Sequence, residues 1–382
     1  MSTTTAATPT KRILSIDILR GMVMVVMALD HTRDYFSGYK FDPTDLQHAS
    51  AIMFFTRWIT HFCAPVFVFL TGTSAFLSLR KMGSKKEAAW RLFTRGVWLV
   101  ILELTFVRLG WTFDFDYSQI FLQVIWAIGI SMVFLSAFIF LPRPAILAIG
   151  LAMIFGHNLL DGLHPTGDAG ILWIFLHVQS PIQYGHGNTI MVFYPLIPWI
   201  GVMATGYCFG ALFTLEEARR NKLLLLTGIS AIVLFIIVRA SNLYGDPSPW
   251  VMEENWYRTL LSFVNCTKYP PSLCYLLMTL GPAITALPLL EKMSGAVGRI
   301  FLVYGRVPLF YYVLHLYLLH SMAIVADYFI KGDTRITIFS HPGWLLQSVY
   351  IFWILAVVIL YFPSRWFMHV KQRNKQWWLS YL

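Results

Sequence analysis

The residues of this sequence that could do chemistry interrupt stretches that are otherwise apolar. The first stretch holds Ser15-Ile16-Asp17-Ile18-Leu19-Arg20-Gly21 and then Leu29-Asp30-His31-Thr32-Arg33-Asp34. Asp17 and Arg20 are three residues apart, hence neighbours on one helical face. Either they neutralise each other, or the Arg20 guanidinium, whose fork suits phosphate, meets an anionic ligand. His31 and Asp34 are also three apart, so the carboxylate would orient the imidazole and raise its basicity, as a general base requires. Asp30 is adjacent in sequence but lies on a different face. At ~1.5 Å per residue, Arg20 and His31 stand roughly 16 Å apart along a helix.

A second stretch brings Thr56-Arg57-Trp58-Ile59-Thr60-His61-Phe62-Cys63-Ala64-Pro65. Arg57 and His61 are four apart and share a face at the depth of His31, and Pro65 removes a backbone donor and lets the chain bend. Glu103 and Arg108, Arg306, His315 and His320 are further polar residues within apolar runs, with Arg306 a second candidate for phosphate contact. His157, His164, His177 and His186 lie in or beside one loop, too widely spaced to suggest a metal site, and no metal is expected. Cys63, Cys208, Cys266 and Cys274 form no CxxC pair. A Gly-rich phosphate loop, a Gly-x-Ser-x-Gly elbow and a His-Glu-x-x-His motif are absent.

The elements that must position these residues follow from composition. Of 382 residues, 57% are apolar and only 13% charged, with a mean hydropathy of +0.62. A soluble domain carries about 25% charged residues, and disorder needs low hydrophobicity, so both classes are excluded. Apolar runs at 14–36, 59–80, 96–110, 119–141, 145–160, 191–213, 223–243, 272–290, 300–326 and 344–363 predict an all-α polytopic membrane protein of about ten transmembrane helices. Residues 1–10 read as a flexible tail, 11–365 as the transmembrane domain, and 366–382 as a basic amphipathic tail lying on the inner membrane surface.

The net charge of +10 tests this topology. Of the 29 Lys and Arg, 18 fall in the two termini and the loops on one side, and the positive-inside rule places both termini in the cytoplasm. Nucleic acid is therefore not needed to explain the basic balance. The longer loops, 37–58, 161–190, 244–271 and 327–343, lie on the other side, where Trp111, Trp173 and Trp250 are available to stack on a sugar.

Five motifs together resemble a known family. These are Arg12-Ile-Leu-Ser15-Ile-Asp17-Ile-Leu-Arg20-Gly21 with Asp30-His31, the run Phe54 to Gly72 containing Thr-Arg57-Trp-Ile-Thr-His61, Tyr194-Pro-Leu-Ile-Pro-Trp-Ile-Gly201, Lys268-Tyr-Pro-Pro-Ser272, and Gly305-Arg306-Val-Pro308 through His315. They resemble the heparan-α-glucosaminide N-acetyltransferase catalytic domain in its bacterial branch, over about residues 11–365. The resemblance implies a multi-pass plasma (bacterial inner) membrane enzyme. It would bind acetyl-CoA from the cytoplasm and pass the acetyl group to a sugar amine or hydroxyl, an amino sugar or glycan, on the far side. In the lysosomal relative an Asn ends the first motif where this chain has His31, and its catalytic His lies in the following loop, which here offers His48, with His61 just beyond. The base is thus one of His31, His48 and His61.

On this reading Arg20 and Arg306, with Asp17 and His315, bind the CoA. His31 with Asp34 and Asp30 deprotonates the acceptor, and His61 or Arg57 stabilises the oxyanion. Direct transfer and a covalent acyl-His both remain open, as does assembly into a homo-oligomer. The alternative is a proton-coupled transporter or flippase of a small or lipid-linked metabolite, in which the buried His and Asp relay protons.

Overall fold

The computed structural model describes residues 13–39, 41–80, 82–185, 187–332, 343–374 and 376–381. The expected tail over 1–10, His186 and residues 333–342 lie outside them. The chain runs α1 (Leu14–Phe36), α2 (Ala51–Trp58), a 3₁₀ turn (Ile59–Phe62) and α3 (Cys63–Leu79). It continues through α4 (Lys85–Leu102), a π-helical turn (Glu103–Val107), α5 (Arg108–Thr112), β1 (Gln119–Leu122), α6 (Val124–Phe138) and α7 (Arg143–Gly156). Then come α8 (Gly167–Leu176), β2 (Ser180–Tyr184), β3 (Asn188–Val192), α9 (Leu196–Phe209), α10 (Glu217–Ser241), α11 (Trp256–Val264) and α12 (Leu273–Glu291). The last helices are α13 (Ala296–Arg306), α14 (Pro308–Lys331) and α15 (Leu346–Arg373). Helix starts are set by sequence: the hydroxyls of Ser50, Ser84 and Ser272 accept first-turn amides of α2, α4 and α12.

Seven helices among the described residues are long and apolar enough to cross a membrane: Ala51–Leu79, Arg143–Leu160, Leu196–Thr214, Glu217–Ser241, Leu273–Glu291, Pro308–Ile330 and Leu346–Arg373. The other three of the ten expected runs fall short of that measure. The run 14–36 is the helix α1, but it carries Asp17, Arg20, Asp30, Arg33 and Asp34. The run 96–110 carries Glu103 and Arg108, and of 119–141 only the 15 residues of α6 are α-helical.

The all-α expectation is corrected by a three-stranded sheet of order β1-β3-β2, with β1 parallel and β2 antiparallel to β3. Gln119 to Leu122 thus leave the predicted helix to pair with Thr189 to Val192. The β2–β3 turn uses Gly185 and Gly187 at positive φ, a conformation that favours glycine. The predicted helix over 300–326 is broken at Val307, because Pro308 offers no amide and disfavours helical backbone in the residue before it. The last helix runs unbroken to Arg373, past the expected boundary at 366.

Helix α1 lies in the middle of the bundle, packed against α3, α12, α13, α14 and α15. Its closest approach is to α13. A β-carbon on Gly21 would lie 1.9 Å from the Phe301 carbonyl oxygen, and one on Gly305 would lie 1.7 Å from that of Asp17. Small residues let membrane helices meet backbone to backbone in this way. The contact brings Asp17 and Arg20 beside Arg306, one residue past Gly305.

Gly305→Ala is expected to cost about 1–3 kcal/mol or more, the range for overpacking a tight contact. It should lower the Tm of the detergent-solubilised protein. Gly156→Ala, where nothing lies within 4 Å of the added carbon, should leave Tm near that of the wild type; equal losses in the two variants would refute the close crossing.

Candidate functional site

Two clusters of charged and imidazole side chains sit at opposite ends of α1. At the Arg20 end, Arg20 Nη1 lies 3.3 Å from Asp17 Oδ1, and Arg306 Nε lies 3.9 Å from Asp17 Oδ2. Arg20 Nη2 also donates to Ser74 Oγ at 2.7 Å. Among the described residues, one carboxylate therefore faces two guanidiniums. Leu379, near the end of the described chain, packs with Val307 and Phe367 below the α13–α14 junction. Beside it opens a cleft of about 580 Å³, with Arg91, Thr94, Lys371, Trp377 and Tyr381 among its lining.

At the other end, His31 meets His315 of α14. His31 Nδ1 and His315 Nε2 are 2.6 Å apart, and the rings stack with centroids 4.9 Å apart. His315 Nδ1 lies 3.2 Å from the Tyr311 carbonyl. A carbonyl only accepts, so this Nδ1 carries the hydrogen. In the neutral pair His315 Nε2 is then the acceptor, and His31 Nδ1 must donate to it. What remains is a lone pair on His31 Nε2, the form a general base needs. Trp111 and Tyr312 hold the His31 ring by edge contacts, with centroids at 4.8 and 6.1 Å.

Beside this pair lies the second charged cluster. Asp30 Oδ1 is 2.7 Å from Arg33 Nη2, its Oδ2 accepts from Arg57, and Lys268 Nζ stands 3.9 Å away. Asp34 pairs with Arg33 at 2.8 Å. Three cations thus surround two carboxylates, with one positive charge in surplus. Arg33 Nη1 and His61 Nδ1 are buried and meet no hydrogen-bond partner among the described residues. Lys268 also sits over the ring of Tyr269, 5.1 Å from its centroid. Burial works to raise the Tyr269 phenol, yet Lys268 and Arg57 hold its pKa below the ordinary value.

His61 owes its place to Pro65. That proline lacks the amide that would bond the carbonyl four residues back, and the His61 carbonyl instead accepts from the Tyr275 hydroxyl of α12 at 2.8 Å. The resulting tie fixes the 3₁₀ turn against α12.

Several expected pairings are replaced. Asp34 does not serve as the hydrogen-bond partner that orients His31; it is held by Arg33, the guanidinium beside it in the chain, and His315 takes that position. His315, grouped with the phosphate contacts on sequence, lies at the opposite end because α14 carries it two turns beyond Pro308. Arg57 is bound to Asp30. Trp111 is buried against His31, not open to a sugar. Trp173 and Trp250 donate to the Leu163 and Arg239 carbonyls. Glu103 accepts the Trp126 amide at 3.0 Å, and Arg108 donates to the Gln119, Asp114 and Asp116 carbonyls, so neither joins a site. His48 is exposed and bonded to Asp45 at 2.6 Å, and that bond holds the Asp45 carboxyl below its usual pKa. Lys268 and Tyr269 were missed as site residues, since only the Lys268-Tyr-Pro-Pro-Ser272 motif marks them and nothing in its spacing points to Asp30.

A family model described as heparan-alpha-glucosaminide N-acetyltransferase, catalytic, matches residues 12–244. No curated protein matches the chain.

Asp30→Asn removes the carboxylate that Arg33, Arg57 and Lys268 share. Removing one partner of a buried ion pair costs about 3–5 kcal/mol, so a large fall in Tm is expected. Asp34→Asn, at a side chain 35% exposed, should lower Tm much less. Thermal unfolding in detergent checks the order, and an Asp34 effect as large as that of Asp30 would contradict the central place of Asp30.

Proposed function

Because the chain belongs to the heparan-α-glucosaminide N-acetyltransferase catalytic family, we propose that it is a membrane acetyltransferase that takes acetyl from cytoplasmic acetyl-CoA and passes it to a sugar amine or hydroxyl across the bilayer. The observation that carries this reading is the pair of clusters along α1. A phosphate-suited cluster lies at one end, and an imidazole with a free lone pair lies at the other.

In this proposal both termini and the Arg20 end are cytoplasmic, the membrane is the bacterial inner membrane, and ten helical segments cross it. Arg20 and Arg306, bridged by Asp17, hold the CoA phosphates with their surplus charge. The thioester arm extends along α1 for roughly 16 Å. His31 Nε2 removes the proton of the acceptor amine or hydroxyl, which attacks the acetyl carbonyl. Arg57, Arg33 and Lys268 face the oxyanion as it forms, where preorganised cations act most strongly. The C–S bond then breaks, the new C–N or C–O bond is complete, and the thiolate takes the proton from His31 to leave as CoA. His61, with its unpartnered Nδ1, is placed to hydrogen-bond the acceptor. This route needs no acyl-His, and no metal enters it.

The test is transfer from labelled acetyl-CoA to a panel of amino sugars and cell-envelope glycans. His31→Ala is expected to lower transfer about 10²–10⁴-fold, the usual contribution of a general base, while CoA still raises Tm. Arg306→Gln is expected to weaken that CoA-dependent rise. Unchanged transfer by His31→Ala would remove the base assignment, and absence of any Tm rise at millimolar CoA would remove the donor. Substrate movement coupled to a proton gradient without acetyl transfer would establish the transporter alternative.

A further inference from the structure

His157, Asp161 and His177 lie far from both clusters on α1 in sequence and in role. His157 and Asp161 belong to the end of the span Arg143–Leu160 and the turn after it, and His177 follows α8. One ligand atom from each of the three lies within 4.8 Å of the other two. Both histidines are 1% exposed, and their ring centroids are 5.5 Å apart.

Their hydrogen bonding leaves nitrogen lone pairs unused. His177 Nε2 bonds Asp161 Oδ1 at 2.9 Å. The carboxylate can only accept when ionised, so the hydrogen is on Nε2, and His177 Nδ1 is a bare lone pair. That Nδ1 has no partner among the described residues. Neither nitrogen of His157 has one either. A buried polar group without a partner costs about 1–3 kcal/mol, and three such nitrogens in one place call for an occupant. Asn158 braces the arrangement: its amide donates to Asp161 Oδ2 at 2.9 Å, and its carbonyl oxygen accepts the Leu273 amide at 3.0 Å.

We propose that His157, Asp161 and His177 bind a divalent transition-metal ion, zinc being the best match to two imidazoles and one carboxylate. Zinc takes such nitrogen and oxygen ligands at about 2.0–2.2 Å. Donor atoms of the three residues already lie within 4.8 Å of one another, so one ion can gather them. The Asp161 carboxylate leaves His177 Nε2 to become a ligand, while its other oxygen stays on the Asn158 amide, which fixes its orientation. A fourth position remains for water. The ion would tie α8 to the end of the Arg143–Leu160 span. Through Asn158 and Leu273 it would also tie both to the segment carrying Lys268, and so steady the cation that approaches Asp30.

The experiment uses the full chain in detergent, purified without a histidine tag, stripped with chelator and titrated with zinc alone. One equivalent is expected to bind and to raise Tm. Asp161→Asn is expected to weaken binding about 10-fold, and the double variant His157→Gln/His177→Gln at least about 100-fold. X-ray absorption at the zinc edge of the wild-type protein keeps the test independent of variant folding, with two imidazoles expected around the ion. Failure of the wild type to take up one equivalent, equal affinity in the double variant, or a zinc shell without imidazole would each overturn the site.

Discussion

Five charged side chains on a single apolar helix set the terms for the rest of the bundle. An ionised group facing hydrocarbon is costly, by about 2.5–3.5 kcal/mol even on the most lenient scale. Asp17, Arg20, Asp30, Arg33 and Asp34 all lie on α1. The structure meets this constraint by putting α1 in the centre, with α3, α12, α13, α14 and α15 around it. The helices with the most apolar surfaces, such as Glu217–Ser241 and Leu346–Arg373, are left to face outward. Enclosure alone is insufficient, because a buried charge also needs a partner. Each acid on α1 has one: Arg33 serves Asp34 from the same helix, while Arg306 reaches Asp17, and Arg57 and Lys268 reach Asp30, from distant parts of the chain.

Among the described residues, both clusters hold more cations than carboxylates. Full neutralisation would be the stable arrangement for a purely structural core, since an unmatched buried charge adds desolvation cost without Coulombic return. On the proposed function, a surplus at each end of one helix serves an anionic donor and a developing oxyanion. It also distinguishes these clusters from Arg239, which is satisfied by the Phe263, Ser248, Ser262 and Asn265 carbonyls and the Asp246 carboxylate. Arg239 thus bonds backbone in and around α11 together with the Asp246 carboxylate, and holds the segment before Lys268 in place.

The course of α1 was legible to the residue, because apolar periodicity and length are local properties of the chain. The residues of the two clusters were legible as exceptions to apolarity, and Asp17, Arg20, Asp30, His31, Arg57, His61 and Arg306 all lie in those clusters or against them. Pairing was not legible. His31 and His315 are separated by 284 positions, and the three-residue spacing from His31 to Asp34 offered a local partner that Arg33 in fact occupies. The strands were hidden for a different reason. Gln119 to Leu122 is a short apolar run with no helical or strand period of its own, and its state is decided by β3, about 70 residues later. His157 and His177 show the same limit: nineteen residues of intervening helix and turn bring them together, and no ligand spacing marks that.

The connection between the two clusters rests on the break at Val307. Helices α1 and α13–α14 run in the same direction, since Arg20 lies by Arg306 and His31 by His315. Eleven residues separate the first positions and nine the second. At ~1.5 Å per helical residue these spans are roughly 16 Å and 13 Å, so a continuous helix over 300–326 would fall short and would also set His315 by the phase of Arg306. The non-helical backbone at Val307, φ −132° and ψ 48°, interrupts the helix and resets the phase. The new helix starts at Pro308, Tyr311 bonds back to Val307 at 3.0 Å, and one turn later His315 can donate to the Tyr311 carbonyl while its other nitrogen faces His31. The proline that ends one helix therefore decides which nitrogen of His31 is left free.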